Sequence, residues 1–265
     1  MIPERRASVP VSDSSYLYGI GLFETLRAAG GRVLFFPLHD ARLRKNARRI
    51  GLKMPLSPRR FLGAIAGLLR RNRLKDATVR VMLSETSEGK PRVVITAKPF
   101  KPYPARCYRE GARVVFARSF LADSKSLAPI KTTSYLSRMI PRREAARRGA
   151  DEALLLSESG LVTEAASSNV FIVKNGVLFT PPLIDGLLAG TRRKVVMELA
   201  KKLKIPVRER SLRPKDLFGA HEAFLTSTLK DVMPVGWVEG KKIGVGAPGP
   251  VTRRLLGAFQ TLARM

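Results

Sequence analysis

Residues 161–182 read LVTEAASSNVFIVKNGVLFTPP, and the second half of this stretch has the pattern of a β-hairpin. Residues 170–173 and 177–180 are runs of β-branched and aromatic residues, which favour strands. The Asn175-Gly176 pair between these runs is typical of a tight hairpin turn. The sequence therefore predicts two antiparallel strands here.

A single carboxylate, Glu164, stands before this hairpin and is followed by the small and hydrogen-bonding residues AASSN, 165–169. A hairpin requires none of them. Small side chains let another group approach the backbone closely, and a carboxylate beside them favours a cationic partner. We therefore expect residues 164–169 to form part of a binding site.

Length and composition limit the possible classes of protein. The chain has 265 residues, 45% of them hydrophobic, which is enough for one large domain or two modest ones. Its one cysteine, Cys107, excludes an internal disulfide framework and a thiolate metal cluster. The first residues, MIPERRASVPVSDSS, lack the apolar core of a signal peptide, and no apolar run reaches the roughly 18 residues of a membrane span. We therefore expect a cytoplasmic protein that does not insert into membranes.

The charge is strongly positive, with 49 Lys and Arg against 21 Asp and Glu and a formal net charge of +28. Such a charge attracts nucleic acids and anionic surfaces. The basic residues are scattered over helical segments, however, and are not interleaved with aromatic residues as in a stacking surface for single strands. Nucleic-acid binding by a non-catalytic protein is therefore an interpretation that we place third, behind the two enzyme functions described below.

Strand and helix patterns alternate along the chain, which predicts an α/β or α+β fold. We expect a small N-terminal α/β domain at residues 1–120, an irregular interdomain linker at residues 121–131 and a larger C-terminal domain at residues 132–265. A binding cleft between two such lobes is a common arrangement. The linker ends at Lys131.

Several catalytic systems are disfavoured. With only His39 and His221, a histidine-rich metal site is not expected, and no G-x-S-x-G motif supports a serine triad. Lysine chemistry remains, because Lys131 begins an ordered series of polar groups. Glu164, GTR at residues 190–192 and TST at residues 226–228 follow it, the last two at a predicted helix start and strand end.

This order of motifs resembles the fold-type IV, or class IV, pyridoxal-phosphate (PLP) enzymes, which include branched-chain and D-amino-acid aminotransferases and aminodeoxychorismate lyase. Each block alone is weak, and their shared order carries the resemblance. The blocks are YGIGLFETLR, HDARLRKNARRIGL, IKTTSYL, GADEALLLSESGLVTEAASSNVFIV, LFTPPL, LLAGTRRKVV, FLTSTLKDVMPV and IGVGAPGPVTRRLL. The resemblance implies the two-lobed fold of D-amino-acid aminotransferases, PLP as cofactor, no metal and a homodimer.

The resemblance also implies roles for individual residues. Lys131 matches the Schiff-base lysine, and Glu164 matches the carboxylate that keeps the cofactor's ring nitrogen protonated, so these two are the expected catalytic residues. Ser167 belongs to the small residues against which a flat ring lies. Tyr135 lies near the position of a tyrosine that reaches the cofactor's phenolic oxygen.

The phosphate of the cofactor has its own expected contacts. Arg42 in HDARL matches the phosphate-binding arginine, and Arg44 is the main rival for this role. Backbone N–H groups of Thr191 and Arg192 are expected at a helix N-terminus, where phosphates bind. The remaining hydroxyl and amide contacts are expected from Ser227 and Thr228.

The substrate is less well specified by the sequence. Phe23 is expected to form an apolar pocket wall, and Arg80 falls where branched-chain enzymes carry an arginine. Ser84-Glu85 replaces the Arg-Gly pair typical of D-amino-acid aminotransferases and lyases, which counts against D-specificity. We therefore favour an amino-acid aminotransferase that acts on amino acids and 2-keto acids by a ping-pong mechanism. Aminodeoxychorismate lyase, which forms 4-aminobenzoate and pyruvate, is the alternative.

Overall fold

The chain builds two β-sheets, and each sheet forms one unit with its own helices. The computed structural model describes residues 2–118, 125–244 and 246–264. The first unit contains Met1–Lys101 and Ile130–Tyr135, and the second contains Pro102–Pro129 and Leu136–Met265.

The first unit has a four-stranded antiparallel sheet in the order β2-β1-β3-β4. A 3-10 turn at Glu4–Arg6 precedes its regular elements. These are α1 (Ser14–Leu17), β1 (Leu22–Ala29), β2 (Arg32–Val33), α2 (Phe36–Arg49), α3 (Pro58–Arg71), β3 (Ala77–Glu85) and β4 (Pro91–Pro99).

Side-chain periodicity explains the core of this unit. Every second residue of β3 is apolar and buried, whereas Arg80 lies on the opposite, exposed face of the strand. Phe61, Ile65 and Leu69 of α3 recur every four residues and are buried in the same core. The inward-facing residues of β3 are Ala77, Val79, Val81 and Leu83.

The second unit has a nine-stranded mixed sheet in the order β10-β9-β8-β11-β12-β5-β6-β7, with β13 paired to β12. A 3-10 turn at Leu183–Asp185 lies between β9 and α6. The elements are α4 (Arg106–Arg109), β5 (Ala112–Phe116), α5 (Leu136–Arg147), β6 (Glu152–Leu156), β7 (Val162–Ala165), β8 (Asn169–Lys174), β9 (Val177–Thr180), α6 (Thr191–Lys202), β10 (Val207–Glu209), α7 (Pro214–Phe218), β11 (Glu222–Ser227), β12 (Asp231–Val238), β13 (Lys241–Lys242) and α8 (Pro250–Arg264).

The predicted hairpin is confirmed. Strands β8 and β9 pair antiparallel, with Lys174 opposite Val177, so only two residues form the turn. Those residues, Asn175 and Gly176, have φ angles of 50° and 74°. Left-handed backbone at both positions is what a two-residue hairpin turn requires.

Three features differ from the sequence-based expectation. Glu164 lies in a strand of its own, β7, which the sequence did not indicate because all four of its residues are buried and do not alternate in polarity. Strand β12 was not predicted, since Pro234 and Gly236 interrupt its pattern. The residue pattern of 16–36 predicts two strands, but Ser14–Leu17 form the short helix α1 and the first strand begins at Leu22.

The two units are not continuous segments of the chain. Strand β5 belongs to the second unit because it pairs with β12 and β6. Residues 121–124 of the predicted linker lie outside the described residues. The predicted domain ranges 1–120, 121–131 and 132–265 stay a prediction.

The described part of the chain contains neither a candidate metal site nor a candidate membrane-spanning helix. Within residues 2–118, 125–244 and 246–264, no three His, Cys, Asp or Glu side chains are grouped so that they could hold a metal ion. Over the same residues, no helix has both the length and the apolar character that crossing a membrane demands.

A buried charged network joins β1 to α2. The Glu24 carboxylate, 1% exposed, accepts hydrogen bonds from Nε and Nη2 of Arg42 at 2.7 and 2.8 Å. Nδ1 of His39 lies 2.7 Å from the same carboxylate. Burial alone would raise the pKa of Glu24, but the charges and hydrogen bonds of Arg42 and His39 lower it from 4.5 to about 2.

Glu24→Gln should lower the free energy of unfolding by about 3–5 kcal/mol near neutral pH, because the guanidinium of Arg42 loses this buried counter-charge. Urea unfolding of both proteins measures the difference. Since the folded pKa lies below the ordinary value, this contribution is present above about pH 4.5 and is lost as the pH falls toward 2. A difference that stays constant down to about pH 3 would contradict the assignment.

Candidate active site

The backbone of Lys131 is held at the start of β1. The N–H of Phe23 donates to the carbonyl of Lys131 at 2.9 Å, and the N–H of Thr133 donates to the carbonyl of Gly21 at 2.8 Å. Leu22 and Thr132 form an isolated antiparallel bridge between these contacts. The lysine therefore continues the first sheet although it lies far along the chain from β1.

The segment before β1 packs tightly on this bridge. The hydroxyls of Thr132 and Thr133 donate to the carbonyl of Gly19 at 3.2 and 2.9 Å. A Cβ on Gly21 would come within 2.7 Å of Ser15 Cβ and 2.8 Å of the Thr133 hydroxyl, so only glycine fits there. The threonine hydroxyls thus fix the loop that carries Lys131.

The side chains of Lys131, Tyr135 and Arg80 surround the ring of Phe23, and we call these four residues the lysine cluster. Nζ of Lys131 lies 4.3 Å from the ring centroid, and Cζ of Arg80 lies 3.8 Å from it. Tyr135 meets the same ring edge to face at 5.2 Å. Both basic groups therefore lie within cation–π distance of one aromatic ring, which concentrates positive charge at this place.

The two candidate phosphate-binding arginines have different partners. Arg42 is oriented by the bidentate contact with Glu24. Arg44 instead donates to Asp40 at 2.9 Å and to the carbonyl of Leu56 at 2.5 Å, both within the first unit. Arg44 therefore holds a helix and a loop together.

Glu164 is the centre of a second group of residues, in the second unit. Its carboxylate is 2% exposed. It accepts hydrogen bonds from the N–H of Leu188 at 3.0 Å and from Nδ2 of Asn169 at 3.2 Å, and Nη2 of Arg138 lies 2.7 Å away. We call these four residues the carboxylate cluster. Three donors around one buried carboxylate favour its ionised form.

Asn169 connects this cluster to the start of α6. Its Nδ2 also donates to the carbonyl of Leu188 at 2.9 Å. A Cβ on Gly190 would overlap the side-chain oxygen of Asn169, so glycine is required at this approach. Asn169 therefore fixes the loop that leads into the helix.

Helix α6 begins at Thr191 directly after Gly190, as predicted. Gly190 has no side chain to cap the helix, and the N-terminus of this twelve-residue helix is the positive end of its dipole, which favours an anion. Thr191 and Arg192 are buried, and Nε of Arg192 lies 3.7 Å from Asp231 at the start of β12.

The remaining predicted residues lie in two turns of the second unit. Ser167 donates from its hydroxyl to Glu152 at 2.5 Å, in the turn between β7 and β8. Ser227 ends β11, and its hydroxyl accepts from the N–H of Lys230 at 3.3 Å. Thr228 follows Ser227 in the turn to β12.

The structure thus gathers the predicted residues into two groups. Phe23, Arg80, Lys131 and Tyr135 meet in the first unit, where Arg42 pairs with Glu24. Glu164, Ser167, Thr191, Arg192, Ser227 and Thr228 belong to the second. Several charged residues of these networks were not identified from the sequence, because nothing in their local pattern marks them. Among them are Arg138, Glu152 and Lys230.

Comparison with known proteins identifies the family. The model of the amino-transferase class IV family matches residues 21–237. The chain is 34% identical to a putative branched-chain-amino-acid aminotransferase of Methanocaldococcus jannaschii, over 98% of this chain and 93% of that protein. It is 28% identical to a D-alanine aminotransferase of Bacillus licheniformis, over 98% and 93% of the two chains.

Solved structures agree. The branched-chain aminotransferase of Escherichia coli superimposes with a TM-score of 0.94 at 30% identity, covering 99% of this chain and 92% of that chain. That of the archaeon Thermoproteus uzoniensis, solved with norvaline, gives 0.91 at 32% identity, covering 98% and 90%. A putative 4-amino-4-deoxychorismate lyase of Legionella pneumophila gives 0.88 at 24% identity, covering 98% and 97%, which shows a common fold only. The chain belongs to the class IV aminotransferases, a PLP-dependent family.

Proposed function

We propose that this chain transfers an amino group from an amino acid to a 2-keto acid, with PLP bound through Lys131 and Glu164. The buried Glu164 carboxylate carries this proposal. A carboxylate that is 2% exposed and oriented by three donors is suited to one cationic ligand group, and a protonated pyridine nitrogen is such a group. The family gives the same expectation for PLP.

The available groups fit the cofactor chemically. The amine of Lys131 suits the cofactor's aldehyde, and the buried carboxylate of Glu164 suits its ring nitrogen. The guanidinium of Arg42 and the N-terminus of α6 suit its phosphate. When bound, PLP supplies a ring that withdraws electrons from the substrate Cα. The protein's residues then bind, orient and move protons.

Lys131 has two tasks in this proposal. Its amine would hold the cofactor through the aldehyde carbon, and the free amine would take the proton from the substrate Cα and deliver a proton to C4′. Glu164 holds a proton on the ring nitrogen. Tyr135 lies beside Lys131 and is proposed to reach the cofactor's phenolic oxygen, and Ser167 to line its ring.

The phosphate is proposed to bind Arg42 and the backbone N–H groups of Thr191 and Arg192, with Ser227 and Thr228 completing the contacts. Orientation of Arg42 by Glu24 and the uncapped start of α6 support these assignments. Both arginines already have partners in the first unit, Arg42 in Glu24 and Arg44 in Asp40 and the Leu56 carbonyl, so the match of Arg42 to the family's phosphate-binding arginine favours it over Arg44.

Phe23 and Arg80 are proposed to contact the substrate. The apolar ring next to Lys131 suits an apolar side chain, and Arg80 is a cation that suits a carboxylate. The relative from Methanocaldococcus jannaschii, which is 34% identical, has the name putative branched-chain-amino-acid aminotransferase. This name supports an aliphatic amino acid as donor.

We also propose a homodimer. Tyr16, Leu17 and Tyr18 of the first unit are 72%, 51% and 73% exposed, an apolar run that a second copy could cover. The mass from analytical ultracentrifugation gives the oligomeric state, and a monomer at all concentrations would contradict the homodimer.

The cytoplasmic location expected from the sequence stays a prediction.

The reaction is tested by half-reactions. The purified chain is loaded with PLP, excess cofactor is removed, and single L- or D-amino acids are added. Stoichiometric keto acid with conversion of the cofactor to pyridoxamine phosphate is expected from an L-aliphatic amino acid. Pyruvate from aminodeoxychorismate without this conversion would instead show a lyase.

Lys131→Ala should abolish both turnover and borohydride-stable attachment of PLP, whereas substitution of the exposed Lys90 by Ala should change neither.

Glu164→Gln should retain PLP but lower turnover by about 10²–10³-fold, because an amide cannot keep the ring nitrogen protonated. Single-turnover kinetics at saturating PLP measure the effect. The exposed residue Glu158, changed to Gln, is the control. A Glu164→Gln protein with the parent's rate would remove Glu164 from the mechanism.

Arg42→Ala should weaken PLP binding by about 10–100-fold, the effect of losing one charge-assisted, bidentate contact worth about 1.5–3 kcal/mol. Arg44→Ala is the matched control on the same helix and should do much less. Titration of the apoprotein gives the dissociation constants, and the dependence of melting temperature on PLP gives an independent measure. A larger effect for Arg44→Ala would reverse the assignment.

A further inference from the structure

Lys230 is a buried lysine that the proposed reaction does not use. It lies in the turn between β11 and β12, where Ser227 pairs with Asp231 and three residues form the loop. Asp231 closes this turn with a φ of 52°. The Lys230 side chain is only 1% exposed, although a lysine in a turn ordinarily reaches solvent.

All three ammonium hydrogens of Lys230 have acceptors. Nζ donates to the carboxylate of Glu152 and, at 2.8 Å each, to the hydroxyls of Ser167 and Ser168. Since an ammonium group has three donors, this set satisfies the buried charge completely. The backbone carbonyl of Lys230 also accepts from the hydroxyl of Tyr108 at 3.0 Å.

Glu152 is the matching buried charge, 1% exposed at the start of β6. Burial alone would raise the pKa of Glu152, but the charge and hydrogen bond of Lys230, with help from Ser167 and Arg142, hold it below its ordinary value. Glu152 is therefore held in its ionised form beside the ammonium group of Lys230. The Ser167 hydroxyl contacts both of them.

Stability alone does not account for such a pair. Removing two charges from water costs about as much as their attraction returns, and well-packed apolar residues in their place are often as stable or more so. A buried pair of this kind instead fixes geometry, because its hydrogen bonds are directional. The parts fixed here are two turns that are remote in sequence.

The first of these turns, residues 165–168, follows Glu164 and contains Ser167 and Ser168. The second, residues 228–230, follows Ser227 and contains Thr228. Under the proposed function, the first turn lies against the cofactor's ring and the second binds its phosphate. Lys230 contacts one turn with its ammonium group and belongs to the other.

We propose that Lys230, through Glu152, Ser167 and Ser168, is a positioning residue that holds the ring-binding and phosphate-binding turns in the arrangement that PLP requires. This inference rests on the proposed function. It assigns to Lys230 no contact with the substrate and no covalent bond to the cofactor.

The test uses Lys230→Met, which keeps the length of the side chain and removes its charge. The dissociation constant of PLP, titrated into the apoprotein, should rise about 10–100-fold, the range found when residues behind the direct ligands of metal sites are removed. At saturating PLP, the visible circular dichroism of the bound cofactor should also change, because the orientation of its ring changes.

Arg148→Met is the control for loss of a partly buried, ion-paired cation in the same unit. Arg148 pairs with Glu239 and Glu144 and donates to the carbonyl of Phe116. It should lose stability but keep the parent's dissociation constant and circular dichroism. If Lys230→Met behaves like this control, Lys230 is only structural and the proposal is wrong.

Two more variants cover the case in which Lys230→Met does not fold. Lys230→Met combined with Glu152→Gln leaves no unbalanced charge, and Ser167→Ala leaves the ion pair intact. Both should weaken PLP binding. The triple variant, which combines all three substitutions, should raise the dissociation constant by less than the product of the two separate fold-changes, because the substitutions act on one turn. Independent effects or unchanged affinity would refute the coupling. A parent chain that bound no PLP at all would instead refute the proposed function.

Discussion

The second unit is organised around a carboxylate that water does not reach. Glu164 is 2% exposed, and an ion so deeply buried is tolerated only when donors surround it. Those donors come from three separate parts of the chain: Arg138 of α5, Asn169 of β8 and the N–H of Leu188 before α6. Satisfying this one group therefore determines how a helix, a strand and a loop meet.

Asn169 illustrates how one such requirement leads to the next. Its amide nitrogen serves both Glu164 and the carbonyl of Leu188, which leaves its oxygen directed at Gly190. Only glycine tolerates that approach, and a glycine at this position leaves the start of α6 without a side-chain cap. The same short segment thus fixes the carboxylate and shapes the N-terminus of α6, where the helix dipole favours an anion.

The distribution of charge is explained by these networks. In the described part of the chain eight acidic side chains are buried, against four basic ones, although basic residues outnumber acidic ones 49 to 21. The buried acids are Asp13, Glu24, Asp40, Glu144, Glu152, Glu164, Asp185 and Glu222. The buried acidic side chains therefore pair with cations or accept hydrogen bonds from helices and loops, and most of the basic side chains lie toward solvent. The net charge of +28 is thus carried mainly by the surface.

Local features of the fold could be predicted from the sequence, because each depends on neighbouring residues. The β8–β9 hairpin follows from Asn175-Gly176, which adopt the required positive φ angles, and the start of α6 follows from Gly190 and Thr191. The ordered motifs also sufficed to identify the family. Strands β7 and β12 escaped prediction, since full burial removes alternation from one and Pro234 and Gly236 interrupt the other. Only the tertiary structure decided which charges meet: Arg42 with Glu24, Arg44 with Asp40, Arg138 with Glu164 and Lys230 with Glu152. Lys230 and Glu152 are far apart in sequence and come together through the order of strands in the second sheet, and no local pattern encodes such a contact.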